Sequence, residues 1–256
     1  MTEQRSGGAH TSRTILLSDL SAVLASCDPR SSAADYRSAI IDENVAAKAS
    51  VSSRQRTHRY LRELYALDPE VPAFRAMLRL WRRDRDGRRQ IAMLMALVRD
   101  AALCATVPAI LPIGEGAIVT SANLSRAVEA EHPGSYSPAI RDKIGRNALS
   151  SWAQAGYLHR AGRTVARHRV EPTAGAVAMA LVLGSQQGVS GEGLFSTSVA
   201  GYLDAPGPLL HDRAHQASRK GWLEYRSRGH VTEIDLSALL APLDSARLPI
   251  MEGDAR

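Results

Sequence analysis

Cysteine is almost missing from this chain. Cys27 and Cys104 are its only two, and they stand far apart, so no disulfide framework or cysteine-based zinc site can be read from them. That usage fits a reducing compartment, here the cytoplasm, and both side chains read as small buried hydrophobes. Aromatic residues make up only 5% of the chain. Single-stranded nucleic acid is usually held on aromatic stacking platforms, and only Tyr60, Tyr65, Trp152 and Tyr157 fall near basic segments. An RNA-binding regulator therefore ranks below a duplex binder. A clean membrane span is also missing. Residues 91–113 come nearest, but Arg99 and Asp100 sit at the centre, each costing roughly 2.5–3.5 kcal/mol on insertion, and Pro108 and Pro112 interrupt the end. The stretch reads as one long buried helix, from about Arg88 to Val107, and no membrane partner is expected. Residues 1–12 are polar, without the apolar core of a secretory signal, and read as a loose tail.

Catalytic signatures are wanting as well. The eight histidines form no HExxH or other metal spacing; His211 and His215, four apart on an expected helix, have Asp212 as their one close acid. Ser185, Ser190 and Ser196 lack a GxSxG elbow, and the glycine-rich loop 184–193 lacks phosphate-cradle spacing. Asp42-Glu43 and Asp84-Arg85-Asp86 read as solvated helix ends. The expectation is a protein that is not an enzyme and carries no cofactor or metal.

What is present is positive charge. Thirty-two Lys and Arg against 26 Asp and Glu give a formal charge of +6 and a pI near 9.7, which favours an acidic partner. The clearest concentration is SSRQRTHRYLRELY, residues 52–65. Ser52 or Ser53 can cap it, and Thr57, Tyr60, Leu61 and Leu64 recur at helical spacing as a buried stripe. Ser53, Arg54, Arg56, Thr57, His58, Arg59 and Arg62 are candidates to meet phosphates and base edges. The alternative is a solvated surface helix in which arginine is simply a good helix former. Two helices precede it, at about residues 14–26 and 32–48, giving the order of a helix-turn-helix module.

The remaining chain reads as mainly helical, in two halves: 13–112, helix-turn-helix-like, and 113–246, winged-helix-like, with a frayed end at 247–256. In the second half, a helix at 121–131 is followed by one opened by Ser137-Pro138, with Ile140, Ile144, Ala148, Leu149 and Trp152 inward and Arg141, Lys143 and Arg146 off that stripe. Residues 157–170 then read as a β-hairpin carrying Arg160, Arg163, Arg167 and Arg169, able to lie along a phosphate backbone or enter a minor groove. An exposed hairpin can also be basic only for solubility. Further helices at 173–183, 193–203 and 208–220 precede a second hairpin near 222–236, a weak repetition of architecture.

Residues 51–203 resemble BrxA, a small protein of the BREX phage-defence systems. The resemblance is carried by SSRQRTHRYLREL, LMALVRDAALCATVPAIL, YSPAIRDKIGRNALSSWAQAGYL and LFSTSVAGYLD. It implies a mainly helical protein with winged-helix elements that binds double-stranded DNA without catalysis, beside other BREX proteins in the bacterial cytoplasm. The expected function is thus non-catalytic duplex DNA binding, with a protein–protein adaptor in a defence complex as the alternative.

Overall fold

A computed structural model describes residues 8–162, 164–228 and 231–243. Its first three helices are α1 (Leu17–Ser26), α2 (Ala33–Ile41) and α3 (Val51–Tyr65). Ser32 and Asp35 form a reciprocal capping box at the start of α2. That helix ends at Ile41 rather than near Lys48, because the chain turns through Asn44 and Ala47 at positive φ. Ser50 caps α3, accepting the Ser53 N–H at 3.2 Å. The cap therefore lies just ahead of the expected Ser52 or Ser53.

α4 (Pro72–Arg83) and α5 (Arg88–Arg99) follow, joined by a short turn. The single helix expected over 88–107 is broken at Asp100. Its carboxylate leaves the ladder of α5 and caps α6 (Ala101–Cys104) by accepting the Leu103 N–H at 3.1 Å. The two helical stretches meet at 107°. Among the described residues, no single helix is long and apolar enough to cross a membrane.

Asp100 also corrects the reading of residues 8–12 as loose tail. Ala9–Thr11 form a 3-10 turn in which His10 is 0% exposed. His10 gives its backbone N–H to Asp100 at 3.0 Å and its ring Nδ1 lies 2.9 Å from the same carboxylate oxygen. Its Nε2 lies 2.8 Å from Ser151 Oγ. Residues 1–7 of that tail, and the end segment 247–256, lie outside the described residues.

The second half begins with a short extended piece. Gly116 and Val119 donate backbone N–H groups to Arg167 and Val165, Arg167 donates to Ala117, and Ile118 bridges Ala166 in antiparallel sense. After it come α7 (Ser121–Glu131), α8 (Pro138–Gln154), β1 (Leu158–Ala161) and β2 (Thr164–Arg167). β2 thus has β1 on one side and residue 118 on the other. α9 (Ala174–Ser185) is buried on almost every side, as its uniformly apolar sequence requires. The helix expected at 193–203 splits into a 3-10 turn, Gly191–Ser196, and α10 (Ser198–Gly201). α11 (Gly207–Arg219), β3 (Glu224–Arg228) and β4 (Val231–Asp235) form a second helix–hairpin unit, and the 191–196 turn packs on β4. α12 (Ser237–Leu240) closes the described chain against α4.

The fold is mainly helical with two small antiparallel hairpins. A boundary at 112/113 falls in a surface loop, but one hydrophobic core runs across it: α9 packs on α4 and α5 of the first half.

Candidate nucleic-acid interface

α3 keeps Arg56, Arg59 and Arg62 exposed, but several of its candidate contact residues are already engaged within the fold. Thr57 is buried, so this candidate contact residue belongs to the core. Arg54 is half-buried and donates from Nη1 to the Ile41 carbonyl at 3.1 Å, tying α3 to the end of α2. Arg59 lies over the Tyr60 ring, donates to Tyr60 Oη at 2.6 Å, and sits 3.7 Å from Glu63 one turn on. His58 is held below the usual imidazole range by burial first and then by Arg62 and Arg37, so it is neutral at pH 7 and adds no charge. Ser53 is half-buried; its hydroxyl accepts a 3.2 Å hydrogen bond from Arg56. The exposed cations left are Arg56 and Arg62.

The hairpin divides in the same way. Arg167, expected on its outer face, is 0% exposed. Its guanidinium donates to the carbonyls of Ile110 (3.0 Å), Tyr157 (3.1 Å) and His168, and pairs with Asp204. A buried cation persists only when every donor finds an acceptor and a carboxylate offsets the charge. Arg167 is therefore the bolt that fastens the hairpin to the body. Arg169 lies 3.5 Å from the same Asp204 carboxylate. Arg163 lies outside the described residues. Arg160 is exposed and has no carboxylate partner among the described residues.

On α8, Arg141 pairs with Glu129 of α7. Lys143 and Arg146 point to solvent and make no ion pair among the described residues. Residues 139, 143, 146, 150 and 153 are exposed at helical spacing and form the outer face of α8. The opposite face is fixed by Trp152, whose indole N–H donates to Thr106 Oγ1 at 2.8 Å, and by Ile144 and Ala148. Gly145 allows the close approach of α7: a Cβ there would lie 2.3 Å from the Ser121 carbonyl oxygen.

Two of the expected residues meet. Arg146 and Arg160 line one cleft of about 1150 Å³. Arg85, from the turn between α4 and α5, and Arg89, in the first turn of α5, line it as well, and Asp86 is its one acid. His159 and His168 stand near the hairpin side, with His168 Nδ1 3.0 Å from Glu115. A smaller depression of about 500 Å³ shares Arg85, Arg89, Ala153 and Gln154 with it and continues toward α1. Arg85, Arg89 and His159 are not among the contact residues expected from the sequence; the two arginines lie in the run DRDGRRQ at 84–90, whose acids point to a solvated helix end rather than to a binding site.

α3 is not part of this cleft. Arg99, at the far end of α5, donates to the Glu63 carbonyl at 2.9 Å, which sets the end of α3 beside the end of α5. Arg89 is ten residues back along that helix, about 15 Å away at 1.5 Å per residue.

One nucleophile–base–acid arrangement does occur. Ser151, His10 and Asp100 are joined by hydrogen bonds of 2.8 and 2.9 Å. All three are sealed in the core at 0%, 0% and 2% exposure, and Ser151 Oγ also takes the Ile15 N–H and donates to the Asn147 carbonyl. With no opening for substrate, the network holds the 8–12 segment, α6 and α8 together. Likewise His211 is engaged by Tyr225 Oη at 2.9 Å and Glu192 at 3.1 Å, stacked on Phe195, while His215 lies edge-on to Tyr225. Neither a protein-family model nor a curated protein matches this chain.

Proposed function

We propose that this chain is a non-catalytic double-stranded DNA-binding protein whose contact surface is the outer face of α8 together with hairpin β1–β2. The observation that carries it is that Lys143, Arg146 and Arg160 are exposed and pair with no carboxylate among the described residues, on a helix and a hairpin that other arginines and a close helix–helix approach hold in place. The order of extended segment, helix, helix and hairpin, with the segment pairing back on β2, supports a winged helix, in which the second helix enters the major groove and the hairpin follows the backbone. The second unit, α10–α11 with β3–β4, repeats that order and supports a duplicated winged helix. The resemblance of residues 51–203 to BrxA is the support for setting the proposal in BREX-type phage defence in the bacterial cytoplasm, beside other proteins of such a system.

Binding of this kind is dominated by counterion release, so affinity falls with salt at a log–log slope of about −0.9 per phosphate contacted. Fluorescence anisotropy with a labelled duplex at two salt concentrations tests it. The triple variant K143A/R146A/R160A is expected to reduce the slope by about 2.7 while leaving the melting temperature unchanged. Wild-type binding indifferent to salt, or a variant slope equal to wild type, rejects the reading.

A further inference from the structure

Arg85 and Arg89 belong to neither α8 nor the hairpin, yet they line the same cleft from the first half of the chain. The α4–α5 turn is held firmly. Asp84 accepts the Gly87 N–H at 3.1 Å and the Gly175 N–H at 2.8 Å, which anchors the turn to the start of α9. Arg88, between them, is occupied: it donates to the Trp81 carbonyl at 2.7 Å and lies over the Trp81 ring. Arg85 and Arg89 are exposed and make no ion pair with any described carboxylate. The cleft is thus lined by guanidiniums from both halves of the chain, Arg85 and Arg89 from the first and Arg146 and Arg160 from the second.

Its volume is about 1150 Å³, near the upper end of small-ligand sites and too small to enclose a duplex, whose major groove alone is about 12 Å wide. A single sugar–phosphate strand of a duplex fits the charge and the shape together. Guanidinium forks match phosphate oxygens bidentately, and several such forks together grip a backbone without reading its sequence.

We infer that the α4–α5 turn and the start of α5 form a backbone clamp: Arg85 and Arg89 hold phosphates of one DNA strand together with Arg146 and Arg160 while α8 occupies the adjoining groove. This rests on the DNA-binding reading above. It adds a contact element from the first half of the chain, so both halves build one site.

The test uses the full chain and a labelled random-sequence duplex of about 20 bp, roughly two helical turns. R85A/R89A is expected to weaken binding about tenfold and to lower the salt slope by about 1.8, equally for unrelated sequences. R85K/R89K retains most of the slope, and D86N tightens binding by removing a like charge from the strand's path. The control R30A/R219A makes the same change in net charge at exposed positions outside the cleft and leaves the slope within about 0.3 of wild type. If R85A/R89A matches the control, the clamp is wrong and the α8 reading stands. If R85A/R89A weakens binding only with a lowered melting temperature and an unchanged slope, the turn is structural and the clamp is again wrong. Wild-type protein that shows no salt-dependent duplex binding overturns both.

Discussion

Two arginine-rich regions of this molecule look alike in sequence and differ in structure. α3 carries Arg54, Arg56, Arg59 and Arg62 within two and a half turns, but the first is drawn onto the carbonyl of Ile41 and the third onto Tyr60 and Glu63. The cleft takes one arginine each from the α4–α5 turn, α5, α8 and β1, and none of the four is paired with a carboxylate among the described residues. A count of basic residues along a helix measures what could meet a polyanion; the partners already present in the fold decide what does. The hairpin repeats the lesson at closer range, since Arg167 is buried and saturated while Arg160, opposite Val165 on the neighbouring strand, is exposed and pairs with no carboxylate among the described residues.

The comparison can be broken hardest at Arg167. Arg167→Ala takes the guanidinium from the Ile110, Tyr157 and His168 carbonyls and leaves Asp204 with only the more distant Arg169, and loss of one partner of a buried pair costs about 3–5 kcal/mol. Chemical denaturation reads that loss directly. A variant as stable as wild type would show that Arg167 does not hold the hairpin, and the distinction between structural and available arginines would fall with it.

Next in size is the network behind α8. Burial alone would push the Asp100 carboxyl up, but the His10 ring, the His10 N–H and the Leu103 N–H outweigh it and hold it below the ordinary carboxylate value of 3.8. A folded-state pKa depressed in this way contributes stability above the unfolded value, about 3.9, that is lost as pH falls through the folded one. Asp100→Asn should therefore cost about 3 kcal/mol at neutral pH and flatten the acid limb of the stability profile below about pH 4. Denaturation midpoints at several pH values check both, and a variant that keeps the wild-type acid limb argues against the network.

The smallest and most discriminating comparison sets Arg54→Ala against Arg146→Ala. The first removes a charge-assisted hydrogen bond and should lower stability by about 1.5 kcal/mol with no change in salt slope. The second should reduce the slope by about 0.9 with no change in stability. Exchanged outcomes would return the DNA contact to α3.

Much of the secondary structure was legible along the chain. Ser137-Pro138 announces α8, the alternation about Gly162 announces the first hairpin, and an eleven-residue apolar run can only be a buried helix such as α9. The 88–107 stretch was misread because apolar periodicity continues through Asp100; nothing local reveals that its carboxylate will cap a new helix and meet His10, ninety residues away. The extended segment at residue 118 is equally hidden, being a single bridge whose partner lies beyond two helices.

By itself the sequence determined the helical class, the positions of the two hairpins and the positive charge, because periodicity, capping and turn chemistry act over a few residues. Which arginine became a bolt and which stayed exposed was decided only by tertiary structure. A guanidinium's fate depends on the carbonyls and carboxylates that folding brings within about 3 Å, and those come from distant parts of the chain. The cleft itself has the same origin: Arg85 and Arg89 share it with Arg146 and Arg160 only because α9 packs the two halves around one core.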